Sequence, residues 1–176
     1  MRYCSQCGAQ VALSVPDGDH LPRHVCSECH TVHYLNPKMV VGCVPEWEGK
    51  ILLCRRAIEP RLGYWTLPAG FMENGETLRA GAARETFEES MARVEVGEPV
   101  SLISIAHLDQ VHFMFHGRLL DHVHGPTPES SEVALFQEKD IPWEALAFRT
   151  VQHTLQHFLD DRRQGVSRFH VIDLTP

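Results

Sequence analysis

The stretch Gly70–Ala92, GFMENGETLRAGAARETFEESMA, carries five carboxylates: Glu73, Glu76, Glu85, Glu88 and Glu89. Arg84, Glu85, Glu88 and Glu89 read R-E-x-x-E-E. With 3.6 residues per turn of helix, Glu85, Glu88 and Glu89 fall on one face. Like charges at this spacing repel, so the cluster requires a cation or full solvation. Carboxylate oxygens are hard donors that suit Mg²⁺ or Mn²⁺. A dication so held neutralises charge on phosphoryl oxygens and makes water a nucleophile. The pattern predicts a metal-dependent hydrolase; the plainer alternative is a solvated acidic face. Ala80, Ala83, Phe87 and Met91 make an apolar stripe on the opposite face, expected to pack inward while the glutamates look outward.

A second constellation stands near the N-terminus. Four of the six cysteines form two C-x-x-C pairs, Cys4/Cys7 and Cys26/Cys29. Paired knuckles at this separation predict a tetrahedral Cys₄ site for Zn²⁺. Four thiolates leave no open position, so the site is expected to be structural. The competing reading is two disulfides or a redox pair. A block this short cannot build a core, so metal binding must supply its folding free energy, on the order of 10 kcal/mol. Residues 1–36 are therefore expected to form one small domain and 37–176 the main one. Cys43 and Cys54 sit alone in apolar runs and read as buried strand thiols.

The elements that must position these groups follow from pattern. Pro16-Asp17-Gly18-Asp19 predicts a turn within the first block. Lys38–Pro45 and Ile51–Arg56 predict a hairpin around the Gly49 turn. Trp65–Leu67 reads as extended, Gly70–Gly75 as a loop, and a helix is expected from near Thr77 to near Met91. Strands are expected at Val94–Val96, Ser101–Ala106, Val111–Leu120 and Glu132–Phe136, and a last one within Ser167–Leu174. A helix is expected from Ile141 to about Arg163, with Trp143, Leu146, Val151, Leu155, Phe158 and Leu159 inward. His112 and His116 lie about 13 Å apart on a strand, and His153/His157 lack a third ligand; neither pair reads as a metal site.

Gly70, Glu76, Arg84-Glu85 and Glu88-Glu89 stand at the spacing G-x5-E-x7-R-E-x2-E-E. This resembles the Nudix box, G-x5-E-x7-R-E-U-x-E-E-x-G-U with U aliphatic, and departs from it at Thr86, Met91 and Ala92. Met91, in place of the usual glycine, reads as a packing variant that completes the apolar stripe. The first block resembles a zinc ribbon. Together these imply an α+β fold, a Nudix α/β/α sandwich with a mixed sheet preceded by the ribbon. The resemblance implies that Glu85, Glu88, Glu89 and the Gly70 carbonyl hold Mg²⁺ or Mn²⁺. It also implies that Glu76 pairs with Arg84 to brace the loop, and that Glu88, Glu129 or Glu132 serves as base. Arg55, Gln110 and Glu132 are candidate substrate contacts.

Zinc ribbon plus Nudix box also describes the NADH pyrophosphatases, but their S-Q-P-W-P-F-P-x-S motif is absent from SLISIAHLDQVHFMFHG. The runs NPKMVVGCVPEWEGKILLCRRAIEPRLGYWTLPAGFMENGET, HLDQVHF and IPWEALAF look like a bacterial group similar to the plant plastid FAD pyrophosphohydrolases. That likeness implies hydrolysis of FAD to FMN and AMP, with ADP-ribose or NADH as alternatives. A nucleotide-sensing transcription regulator and a partner-docking module are alternatives of other classes; regulators of this kind typically lose the box glutamates, which are kept here. At 176 residues, 43% apolar, the chain can bury a sizeable core. A net charge of −7 argues against a grip on nucleic-acid backbone. No apolar run approaches the ~18 residues of a membrane span, and no secretory signal is evident. A cytoplasmic protein with reduced thiols, a small nucleotide substrate and a homodimeric state is expected.

Overall fold

The structure is a computed structural model describing Met1–Pro176. It divides into two compact units, Met1–Asn36 and Pro37–Pro176. In the first, β1 (Val11–Ser14), β2 (Arg23–Cys26) and β3 (Val32–His33) form an antiparallel sheet in that order. The turn between β1 and β2 closes where the Asp19 N–H donates to the Pro16 carbonyl at 3.0 Å, with Gly18 at φ 82°. Asp19 then accepts from the Leu21 N–H and pairs with Arg23 at 2.8 Å.

The second unit begins with a hairpin of β4 (Lys38–Trp47) and β5 (Lys50–Arg56). Trp47 faces Lys50 across a two-residue turn whose Glu48 and Gly49 both have positive φ, 48° and 78°. That geometry matches strand twist and favours glycine second. There follow β6 (Trp65–Thr66), β7 (Ala69–Phe71), α1 (Leu78–Ser90), β8 (Val94–Ile105), β9 (Gln110–Leu119), β10 (Ser130–Phe136), α2 (Arg149–Gln164) and β11 (His170–Asp173). The sheet runs β10-β5-β4-β9-β8-β11, with β6 on β5 and β7 on β4. The β4–β9 and β8–β11 pairs are parallel and the rest antiparallel, so the sheet is mixed. On one face Val41, Cys43 and Phe115 pack with Ala82 of α1. On the other, Val44, Ile51, Leu53 and Met114 pack with Val151, Leu155 and Leu159 of α2. This is the expected α/β/α sandwich. No helix is long and apolar enough to cross a membrane.

Three expectations are corrected. Gly70 and Phe71, read as the start of a loop, belong to a strand on β4, Ala69–Phe71, because Gly42 lets Pro68 and Ala69 close onto it; a Cβ at Gly42 would collide with both. The helix expected from Ile141 is interrupted. Trp143–Ala145 is one 3₁₀ turn, then the Ala147 N–H donates to the Trp65 carbonyl at 2.8 Å, and α2 starts only at Arg149. Pairing with β6 outcompetes helical continuation there.

The third correction concerns the faces of α1. The expected inward stripe faces solvent: Ala80 is exposed, and Phe87 and Met91 are 51% and 49% exposed. Gly81, Ala82, Thr86, Glu89 and Ser90 are buried instead. The helix lies so close to β4 that a Cβ at Gly81 would stand 2.9 Å from Val41 Cγ2, and only small side chains fit. The buried hydroxyls are satisfied locally, Thr86 Oγ1 donating to the Ala82 carbonyl at 2.8 Å and Ser90 Oγ to that of Thr86.

Thr77 caps the helix start, its Oγ1 accepting from the Ala80 N–H at 3.2 Å. Met91 ends the helix in the left-handed region, φ 59°, its N–H donating to the Phe87 carbonyl at 2.7 Å. This is why the box usually carries glycine here; Met91 is a strained cap, not a packing variant. Met91→Gly should raise the unfolding free energy by about 1 kcal/mol and the Tm by about 2–4 °C. Thermal unfolding checks this; an unchanged Tm would show that the cap carries no strain.

Candidate active site and cysteine cluster

Gly70 on β7 meets α1 where nothing larger fits: a Cβ there would collide with the Glu85 carboxylate. Arg84 ties the surroundings together. It donates to Glu76 at 2.7 and 3.1 Å, to Glu85 at 2.7 Å, to Glu88 at 2.9 Å and to the Phe71 carbonyl at 3.2 Å. Glu76 also accepts from the Glu73 N–H at 2.7 Å. Arg84, and then that N–H, hold the Glu76 carboxyl down at about 2. The expected brace between loop and helix is present.

The inner carboxylates behave oppositely. Glu89 is 7% exposed, and its carboxylate accepts one hydrogen bond, from the Ala69 N–H at 3.2 Å. Burial, reinforced by the nearby charge of Glu85, pushes it up to about 8. Burial raises Glu85 as well, against the pull of Arg84. Glu88 stays in solvent, its side chain 55% exposed. Glu129 stands close enough to raise both Glu85 and Glu89. The arrangement is a set of hard oxygen donors, two turned inward with less positive charge than they need. Arg84 stands between Glu85 and Glu88.

The four cysteines converge more tightly, all Sγ atoms lying within 4.8 Å of one another. Cys4–Cys29, Cys7–Cys26 and Cys7–Cys29 measure 3.6, 3.4 and 3.5 Å. A metal–sulfur bond of about 2.3 Å gives a tetrahedral edge of about 3.8 Å, so a zinc-sized ion fits. Backbone N–H groups of Gln6, Glu28 and Cys29 point at Cys4 and Cys26 sulfurs at 3.4 Å, stabilising thiolates. His33 Nε2 lies 3.3 Å from Cys4 Sγ as an outer contact. All cysteines are free of disulfides.

Beside Gly70 opens a cavity of about 460 Å³. Arg56, Arg61 and Arg149 line it and no carboxylate does, although the chain is acidic overall. Phe71 and Phe148 add flat apolar surface. His112 also lines it; burial lowers it to about 4, so it is neutral, and it hydrogen-bonds Gln110 at 3.0 Å. Of the expected substrate contacts, Gln110 is in this wall. Arg55 and Glu132 pair with each other at 3.4 Å on exposed strand surface outside it. Sequence reasoning passed over Arg56 in favour of its neighbour and missed Phe148, Arg149 and Thr150, because it ran the helix through the point where α2 begins. No capping residue in the sequence marks the start of α2, since its N-cap is Phe148.

The NUDIX domain profile matches residues 36–160, and the profile of the Nudix N-terminal zinc ribbon matches residues 2–35. The chain belongs to the Nudix hydrolase family. It is similar over its full length to a NUDIX hydrolase of Nitrosomonas europaea of solved crystal structure, at 52% identity, TM-score 0.97 and 100% of both chains. It is 36% identical to the NAD-capped RNA hydrolase NudC of Vibrio parahaemolyticus over 54% of this chain and 35% of that protein. It is 42% identical to an ADP-ribose pyrophosphatase of Methanocaldococcus jannaschii over 32% of this chain and 34% of that protein. The chain thus spans about a third of the length of these curated relatives. A capped RNA stands in one relative's name, so the expected exclusion of nucleic acid finds no support among them.

The raised Glu89 makes stability depend on pH. Between 4.5, its ordinary value, and about 8 the folded state binds a proton that the unfolded state has lost. The resulting stability is present below that window and disappears as pH rises through it. The metal-free protein should therefore lose several degrees of Tm from pH about 5 to about 8, and Glu89→Gln should flatten the slope. Melting curves of both proteins in chelator across that range provide the check.

Proposed function

We propose that the protein is a metal-dependent hydrolase of nucleoside diphosphates linked to a second moiety, FAD foremost, yielding FMN and AMP. One observation carries this reading: Gly70 lines the arginine-bearing cavity and is itself packed against the Glu85 carboxylate. A diphosphate seated there would meet the guanidinium groups directly and reach the glutamates past Gly70. Glu85, Glu88, Glu89 and the Gly70 carbonyl would hold Mg²⁺ or Mn²⁺. Bound there, the ion neutralises phosphoryl oxygens and acidifies water. Arg84 orients Glu85 and Glu88; Arg56 supplies positive charge beside Glu89, whose ionised form it favours. Water adds to one phosphorus, the anhydride P–O bond breaks toward the other phosphate, and the proton passes to Glu88 or Glu129. Glu132, engaged with Arg55, is the weaker candidate base.

The relatives' names support the substrate class: NAD caps and ADP-ribose each contain an adenosine diphosphate, as FAD does. The missing NADH pyrophosphatase motif favours FAD over NADH. The decisive measurement is a panel of FAD, NADH, ADP-ribose, NAD-capped RNA and nucleoside triphosphates with Mg²⁺ or Mn²⁺, ranked by kcat/KM. FAD should lead, and Glu89→Gln should lower kcat by about 100-fold or more. Cleavage of triphosphates alone, or full activity in that variant, would overturn the reading.

The four cysteines hold a structural Zn²⁺ in this proposal, and the enzyme is a cytoplasmic homodimer. Zinc removal by a chelator should unfold residues 1–36 and leave the second unit folded. Limited proteolysis should then strip the N-terminal block and spare the rest. Size exclusion of the same samples tests whether the ribbon supports the dimer.

A further inference from the structure

The wall of the cavity formed by the start of α2 is not required to split a diphosphate. The first N–H groups of a helix lack intrahelical partners, and the N-cap, Phe148, supplies no side-chain acceptor. The N–H groups of Arg149 and Thr150 donate to no backbone carbonyl, and both residues line the cavity. A second observation points the same way. Thr150 is 6% exposed and lines the cavity, and its hydroxyl makes no hydrogen bond within the protein. No fully enclosed side-chain nitrogen or oxygen is left without a partner, so the Thr150 oxygen keeps access to the cavity. Thr150 also lines a narrow extension of about 50 Å³, together with Arg56, His112 and Phe148.

These donors share one polarity. Two N–H groups, a hydroxyl, the positive end of a 16-residue helix and the arginines Arg56, Arg61 and Arg149 belong to one wall, with no carboxylate in it. Such a wall favours an electron-rich group carrying several acceptor atoms. With the diphosphate at Gly70, the group that reaches α2 belongs to the moiety beyond it. The isoalloxazine of FAD presents two carbonyl oxygens and a ring nitrogen along its pyrimidine edge. Nicotinamide presents one carboxamide, and the distal ribose of ADP-ribose only hydroxyls.

Resting on the FAD reading above, we propose that the start of α2 is the subsite that recognises the carbonyl edge of the flavin, with Thr150 as its specificity-determining residue. Thr150→Val keeps the shape and removes the hydroxyl; Thr150→Ser keeps the hydroxyl. The readouts are kcat/KM for FAD and for ADP-ribose, and FMN binding by quenching of flavin fluorescence. In Thr150→Val the FAD-to-ADP-ribose ratio of kcat/KM should fall about tenfold, FMN binding should weaken in step, and Thr150→Ser should restore both. A ratio within about twofold of the parent's, including an equal loss on both substrates, overturns the proposal. Should Thr150→Val fail to fold, Thr150→Ala against Thr150→Ser gives the same comparison, and equal ratios in the two overturn it. A parent enzyme that cleaves ADP-ribose but neither cleaves FAD nor binds FMN ends both the FAD reading and the subsite. A parent that cleaves FAD with a ratio indifferent to Thr150 ends the subsite alone.

Discussion

The structure depends on a carboxylate that has been taken out of water. Glu89 sits almost fully buried on α1, with one backbone N–H for company and Glu85 beside it. An ionised carboxylate in such surroundings is costly unless positive charge stands near. Everything around it serves that requirement. Arg84 draws the neighbouring carboxylates into a fixed array, Gly70 removes the side chain that would push Glu85 away, and Arg56 brings a guanidinium toward the same centre. The remaining deficit of positive charge is what a divalent ion would fill, so the mutual repulsion of the carboxylates and their affinity for metal are one quantity seen from two sides.

The same requirement explains the unusual face of α1. A helix that packed on Phe87 and Met91 would hold its glutamates in solvent, where each is screened and none is positioned. By packing instead on Gly81, Ala82, Thr86 and Ser90, the helix lies close to β4 and carries Glu85 and Glu89 inward. Two large apolar side chains are left half exposed, a loss of burial on the order of 1–2 kcal/mol each. That loss is the counterpart of placing the charges, and it makes apolar periodicity misleading in this helix.

Legibility in the sequence divides along the same line. Where structure is local, pattern sufficed: the Glu48-Gly49 hairpin, the Thr77 start of α1, the knuckles Cys4/Cys7 and Cys26/Cys29, and the extents of β4 and β9 all stand close to where their residues placed them. The spacing of Gly70, Glu76, Arg84, Glu85, Glu88 and Glu89 was legible for the same reason, since a loop and one helix carry it whole. Where structure is set by distant partners, pattern failed. The burial of α1 depends on how near β4 comes. The late start of α2 depends on Trp65, some eighty residues upstream, taking the Ala147 N–H. Arg56, not Arg55, reaches the cavity because of how the end of β5 turns, which no periodicity records.

This division also accounts for the unequal visibility of reaction and substrate. The glutamate array is built from one contiguous stretch, and its spacing is written in that stretch. The cavity wall is assembled from separated segments, around Arg56, Gly70, His107–His112, Phe148–Thr150 and Leu174. Each contributes a residue or two whose type is unremarkable alone, and a threonine in the first turn of a helix is the plainest of them. Only the fold shows that Thr150 is buried, unbonded and turned toward a space with no carboxylate in its wall. Substrate choice in such an enzyme can therefore change through single positions in the wall while α1 remains fixed, because, apart from Arg56 and Ala69–Phe71, the wall residues do not touch the glutamate array.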